Sequence, residues 1–447
     1  MTPEENRMLN ETGRGTPMGD LLRRYWVPAL LSREVEKDGP AVRLRLFGED
    51  LIAFRDTKGK VGLLSARCAH RGASLYFARN GDCGLRCVYH GWKYDVNGNC
   101  VDMPNEPKGD RIKHHVKQTA YPCIERNGIV MTYLGPADKQ PPLPEFEWLN
   151  VPESHVHVSK RYQDCHWLQG MEGDIDSSHL GFLHGMQLLS QATEHDVSGQ
   201  AHLVADNVDP RLEIVHKPNG FVQGACRNGD AENSYWRVGA WLMPCFTILP
   251  AFPKDSPLGG HAWVPADDTR VWAFGISWHP TRPLTEQERK WYREGTPTGI
   301  HSTLIPGTFI AERNRSNDYA APDATERQRW DRLKTFQDQD TAITESIGWD
   351  FDRSNEFLGS TDAAIVQARR RLLETARRLA DGQDPPTDPA GYRYRGVARS
   401  CHAASPRGPT PSPSKWKHDP IPTARACKQR RPMRMRLTAF GLTSIDY

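Results

Sequence analysis

From Val42 the chain alternates apolar and polar residues through Leu44 and Leu46. Apolar runs at 51–54 and 61–64 then flank the turn-forming stretch Asp56-Thr57-Lys58-Gly59-Lys60. This period of two predicts strand, hairpin and strand. A second hairpin turn is expected at 94–99, where Asn97-Gly98 supplies the signal for a tight turn. Residues 1–22 predict a short helix and loop. The stretch 135–144, with Pro141-Pro142 inside it, predicts a stiff linker and a domain boundary. Beyond it the pattern predicts a helix at about 167–187, strands over 212–215, 241–243 and 271–278, and helices at 285–293 and 323–348. A long amphipathic helix at 362–379 closes the series, with Ala364, Ile365, Ala368, Leu372 and Leu373 on one face and arginines opposite. The fold class is therefore α+β, a small all-β domain followed by an α+β domain of antiparallel strands and packed helices. The expected boundaries are 1–22, 23–140, 141–390 and 391–447.

Composition sharpens this picture in three places. With 447 residues, 38% hydrophobic content and 13 tryptophans, the chain can bury two cores. No apolar run approaches the roughly eighteen residues of a membrane span, and residues 1–6 lack the features of a signal peptide. The ten cysteines follow no framework spacing, so a reducing cytoplasm is expected. The net charge of +3 hides an asymmetry, since residues 391–447 hold 12 Lys+Arg against 2 Asp+Glu and leave the remainder mildly acidic. This Pro- and Arg-rich tail has too little apolar surface to offset ordering entropy and is expected to be disordered. No nucleic-acid-binding module accompanies it, so neither a nucleic acid nor a membrane is an expected partner.

The chemistry begins at Cys68-Ala69-His70 and Cys87-Val88-Tyr89-His90. Two short loops each supply one thiolate and one imidazole, which suits a [2Fe–2S] cluster with both cysteines on one iron and both histidines on the other. Gly72 and Gly91-Trp92 let the backbone close around the sulfides. A structural zinc is the competing reading, but zinc sites usually pair cysteines on one loop and histidines on another.

A second constellation lies in the run from Glu172 to His184, where His179 and His184 are separated by four residues. On a regular helix residues i and i+5 diverge by about 140°, so they share a metal only if the helix breaks or bulges; Gly181 would permit this. The pair would supply two corners of the 2-His-1-carboxylate triad of a non-haem Fe(II) site. Asp340 is the first choice for the carboxylate, with Asp338 and Glu345 as competitors. Absent this second iron, the chain would read as an electron-transfer protein carrying only the cluster.

Both metal motifs, together with 15–19, 25–30 and 358–362, make the chain resemble the oxygenase component of Rieske non-haem iron oxygenases, most closely the phthalate 4,5-dioxygenase-like members. The resemblance covers roughly residues 10–385 and departs at Gly348-Trp349-Asp350, where Gly-Pro-Ile is expected. It implies a Rieske domain, a helix-grip catalytic domain and a mononuclear Fe(II). Ala73 and Tyr89 occupy the positions of the disulfide found in high-potential Rieske proteins, so a low-potential cluster is implied. A homotrimer or stacked hexamer is implied, in which Asp176 bridges His179 to the cluster histidine of a neighbouring subunit. The implied partners are a flavin- and iron–sulfur-containing NADH-dependent reductase, with or without a ferredoxin, dioxygen and an aromatic substrate. Ring dihydroxylation and O- or N-dealkylation remain open. Arg227 and Arg237, on predicted strands after the iron helix, are the candidates for pairing with a substrate carboxylate, while Arg227 reads equally as a surface arginine paired with Asp230 or Glu232.

Overall fold

Alternation and turn residues build the small sheets first. In the computed structural model, Val42–Leu46, Glu49–Arg55, Val61–Ser65 and Ala120–Tyr121 lie side by side as an antiparallel sheet. A second sheet orders Arg79–Gly81, Gly84–Arg86, Lys93–Tyr94 and Cys100–Asp102. Its last turn uses Gly98 at φ +78°, as the Asn-Gly signal requires. The third sheet joins Trp26–Leu31, Ile129–Tyr133 and Cys123–Arg126. Ile52, Phe54, Leu64, Leu75, Leu85 and Tyr94 pack into one core that also includes Cys68 and Cys87. The cluster loops are thus rooted in packed side chains.

The structure describes residues 1–185, 188, 201–229, 233–250, 255–295, 299–319, 333 and 335–402, with the backbone alone at 201 and 397–402. Beyond the linker, one antiparallel sheet runs in the spatial order Val156–Gln163, Val271–Trp278, Leu258–Pro265, Phe246–Ile248, Asn233–Leu242, Gly220–Asn228 and Arg211–Lys217. Phe246–Ile248 covers only Ala240–Leu242 of its long neighbour. The uncovered edge at Asn233–Val238 pairs instead with Val397–His402. The tail expectation is corrected here. Tyr392 is buried and donates its hydroxyl to the Met243 carbonyl at 3.0 Å, so the chain is anchored well past 391. Paired backbone and one buried aromatic outweigh the polar composition of 391–402; residues 403–447 lie outside the described residues.

The helix Trp167–Ile175 lies on this sheet through Trp167, Leu168, Met171 and Ile175. Gly170 makes the approach possible, because a Cβ there would meet the Trp263 ring at 2.3 Å. The long helix is Ala363–Ala380 and buries Ala364, Ile365, Ala368, Leu372 and Leu373 as its periodicity predicts. Arg369 departs from that pattern, turning inward to pair with Glu172 at 2.6 Å and with Glu356. The helix expected over 167–187 ends at Ile175 and restarts as His179–Leu183. That expected over 323–348 is Phe336–Ile347, while 320–332 and 334 lie outside the described residues. Among the described residues no helix is long and apolar enough to cross a membrane.

Candidate metal centres and active site

The two cluster loops have the same local design. Cys68 N–H bonds to the Ala73 carbonyl and Gly72 N–H returns to the Cys68 carbonyl; Cys87 N–H bonds to the Trp92 carbonyl and Gly91 N–H returns to Cys87. Each loop closes through a glycine with positive φ, +74° at Gly72 and +80° at Gly91. Cys68 and Cys87 are almost fully buried, while the His70 and His90 rings approach edge to face at 4.6 Å. His70 stacks on Trp92 at 4.2 Å, and its buried Nδ1 has no hydrogen-bond partner. A buried, orphaned imidazole nitrogen beside two buried thiols fits a metal ligand. Among the described residues, the single set of three or more His, Cys, Asp and Glu donors converging as around one ion is His179, His184 and Asp340. Cys68, His70, Cys87 and His90 form no such set, as one tetrahedral zinc would require, whereas a two-iron cluster needs its ligands further apart.

Tyr94 adds a contact to this group. Its Oη lies 3.1 Å from Cys68 Sγ. Burial, and then Cys68 itself, raise the Tyr94 pKa, so the phenol stays protonated and donates to a thiolate. Tyr94→Phe should leave the cluster assembled and move its reduction potential more negative in a redox titration. An unchanged potential would remove the hydrogen bond from the account.

The second centre depends on a break in the chain. After Ile175 the helix stops, and Asp176 Oδ1 accepts Ser178 N–H at 2.7 Å and Ser178 Oγ–H at 2.9 Å. That small turn starts His179–Leu183, with His184 as its C-cap at φ −107° and ψ 1°. The histidines therefore escape the i, i+5 divergence of a regular helix. Gly181 serves differently from expectation. Its φ is not left-handed, but a Cβ would meet Val208 Cγ1 at 2.5 Å, so it permits close packing.

His179 Nε2 and His184 Nε2 face Asp340 Oδ1 at 3.9 and 3.2 Å. The ligand atoms of all three residues lie within 4.8 Å of one another. Their outer nitrogens are also engaged. His179 Nδ1 faces Asp176 Oδ2 at 3.5 Å, and His184 Nδ1 donates to Gln339 Oε1 at 2.6 Å. Gln339 Nε2 donates to the Leu333 carbonyl at 3.1 Å, which turns Oε1 toward His184. With Nδ1 engaged on the outer side, each imidazole turns its Nε2 toward a common point, the orientation that metal-bound histidines have. Burial opposes ionisation of Asp340, but the facing His184 and His179 and nearby Arg161 hold its pKa below the ordinary value.

Asp338 and Glu345 stand apart from this point. Asp338 faces Arg313 at 3.6 Å, and Glu345 accepts from Asp164 N–H at 2.9 Å and Tyr319 Oη–H at 2.5 Å. Sequence reasoning missed Gln339, although its place beside Asp340 on one helix was a usable signal.

A cavity of about 450 Å³ opens against Asp176, His179 and Asp340, with Trp263, Ile343 and Ile347 among its apolar walls. Neither Arg227 nor Arg237 lines it. Arg227 instead donates Nη2 to the Ser177 carbonyl at 2.5 Å and Nε to the Asn207 carbonyl at 3.0 Å. Burial, then the charge of Arg237, pull its pKa down to about 10. Arg227 thus braces the turn carrying Asp176, and neither it nor Arg237 is among the residues lining the cavity.

Residues 25–122 match the Rieske [2Fe-2S] domain, and residues 132–389 match the domain described as LigXa C-terminal domain like. The chain is 35% identical over 410 residues to the 3-chlorobenzoate-3,4-dioxygenase oxygenase subunit of Comamonas testosteroni, covering 86% of this chain and 90% of that one. It is 36% identical over 394 residues to the phthalate 4,5-dioxygenase oxygenase subunit of Pseudomonas putida, covering 86% and 88%. The fold matches the crystal structure of dicamba monooxygenase bound to dicamba with a TM-score of 0.55 at 17% identity, covering 81% of this chain and 99% of that one. Two cluster loops on small sheets, two histidines and a carboxylate beside a cavity, and these relatives along most of its length together show that the chain belongs to the Rieske-type ring-hydroxylating oxygenases, as an oxygenase subunit.

Proposed function

We propose that Cys68, His70, Cys87 and His90 hold the Rieske [2Fe–2S] cluster, and that His179, His184 and Asp340 hold a mononuclear iron beside which an aromatic substrate is oxidised. The observation carrying this reading is the convergence of two Nε2 atoms and one carboxylate oxygen within 4.8 Å at the wall of the cavity. An iron held by that donor set would keep open positions for activating dioxygen, and a cluster held by the four loop residues would supply electrons one at a time. Asp176 and Gln339 orient the imidazoles, and the apolar walls position the ring. A volume near 450 Å³ suits a small aromatic molecule.

Electrons would come from NADH through a separate flavin- and iron–sulfur-containing reductase, with or without a ferredoxin. Tyr76, Phe77, Val88 and Tyr89 are exposed near the cluster loops, and Phe182, Ile343, Ile347 and Phe357 are exposed near the second centre. Two apolar patches of this kind suit head-to-tail association in a trimer or stacked hexamer, with Asp176 accepting from a neighbour's cluster histidine.

The test is mass spectrometry of products from oxygenase, reductase, NADH and dioxygen with carboxylated and methoxylated aromatics. Gain of two oxygens and two hydrogens identifies ring dihydroxylation, and loss of an alkyl group identifies dealkylation. Absence of any oxygenated product across the panel would refute the reading.

Gln339 offers a separate check. Gln339→Leu removes the acceptor for His184 Nδ1–H, so iron affinity should fall about 10- to 100-fold in chelator competition. Gln339→Glu, which keeps an acceptor, should retain most of it. The cluster's visible spectrum should be unaltered in both. Undiminished affinity in Gln339→Leu would remove its positioning role.

A further inference from the structure

We propose that Arg161 is the anion anchor of the cavity and that the substrate is an aromatic acid carrying a single carboxylate, an inference that rests on the oxidation site proposed above. Arg161 belongs to the edge strand Val156–Gln163, where it sits opposite Ala273 and on the same face as Gln163. It is only 3% exposed, yet it lines the same cavity as His179 and Asp340. Its Nε donates to Gln163 Oε1 at 3.3 Å, and the guanidinium lies over the Trp263 ring at 5.4 Å. Gln163 is held in turn, donating Nε2 to Thr344 Oγ1 at 2.7 Å.

Among the described residues no carboxylate lies within ion-pair distance of Arg161, and neither terminal amino group has a protein acceptor. Asp174 and Asp340 are its nearest electrostatic complements, but both are committed. Asp174 accepts from Thr247 Oγ1 at 2.5 Å, Trp263 Nε1 at 2.6 Å and His261 Nδ1 at 3.0 Å. Asp340 faces the two histidines. A buried guanidinium lacking a direct carboxylate is unfavourable, and its two terminal donors form the fork that a carboxylate fills.

The number of anions follows from the other arginines. Arg369 is bound by Glu172 and Glu356. Arg353, also without a carboxylate, has both terminal groups engaged, Nη1 with Asn10 Oδ1 at 2.7 Å and Nη2 with His166 Nδ1 at 3.5 Å, so its fork is taken. A second substrate carboxylate would be left beside Glu172, Asp174 and Glu356, which line the same cavity. A monoacid with its ring against Trp263, Ile343 and Ile347 satisfies the one available fork without that repulsion. A phthalate-type diacid does not.

The test is equilibrium binding of 3-methoxybenzoate, its methyl ester and phthalate to the anaerobic oxygenase loaded with cluster and iron. The wild-type enzyme should bind the monoacid at least about tenfold more tightly than either competitor. In Arg161→Gln the acid-over-ester preference should collapse, with acid binding weakened by about 30-fold. Arg161→Lys should recover part of it. Iron content and cluster absorbance, measured on each variant, should match the wild-type protein. An ester or diacid bound as tightly as the monoacid would overturn the proposal, as would equal weakening of acid and ester in Arg161→Gln. Failure of the wild-type system to oxidise any aromatic would instead sink the site assignment beneath it.

Discussion

Asp340→Ala should purify with its cluster spectrum intact, lose its mononuclear iron, and turn over substrate at least about 10³-fold more slowly. His184 Nε2 and His179 Nε2 both face the single oxygen Asp340 Oδ1, and no other described carboxylate joins them. Two imidazoles alone make a weak and geometrically undefined site for a ferrous ion. The control is Asp338→Ala, two residues away, because Asp338 faces Arg313. Iron counted per chain decides the matter: Asp338→Ala should keep three iron atoms and Asp340→Ala two. Loss of the third iron in Asp338→Ala, with retention in Asp340→Ala, would exchange their assignments.

The second large effect is expected from Asp176→Asn. An asparagine can keep the Oδ1 contacts to Ser178 N–H and Oγ–H that form the turn, so both metal centres should remain loaded. What changes is charge. Burial works to raise the Asp176 pKa, but His179 and Ser178 hold it below the ordinary carboxylate value. This anion stands at the cavity wall behind His179. Neutralising it removes the acceptor proposed for the neighbour's histidine and loosens the hold on His179 Nδ1. Electron delivery should slow by about 10- to 100-fold, read by stopped-flow reoxidation of the reduced cluster with substrate and dioxygen. Reoxidation at the wild-type rate would refute the bridging role.

The pH dependence of the Asp176 contribution follows its sign. Because the folded-state pKa is lowered, the stabilisation is complete above the ordinary carboxylate value and fades as pH falls through the folded one.

The sequence by itself determined whatever is encoded by short spacing. Cys68 to Gly72 and Cys87 to Gly91 each close through a hydrogen bond four residues apart, so the pattern Cys-to-Gly already contains the loop. The hairpins at 42–65 and the turn at Gly98 follow from alternation and turn chemistry in the same way. The histidine pair was also legible, as was the need for its helix to break.

Tertiary structure decided what depends on distant segments. Asp340 was separable from Asp338 and Glu345 only once Phe336–Ile347 had docked against His179 and His184. The His184–Gln339 hydrogen bond spans 155 residues, and no local pattern reports such a contact. Arg227 read as a substrate residue because its strand position leaves its direction open; the fold turns it to the Ser177 carbonyl, 50 residues away. Arg161 went unnoticed because burial on an edge strand leaves no periodic mark. Residues 391–402 looked disordered because composition reports mean apolarity, whereas the open edge of Asn233–Leu242 supplies backbone partners to whatever sequence reaches it.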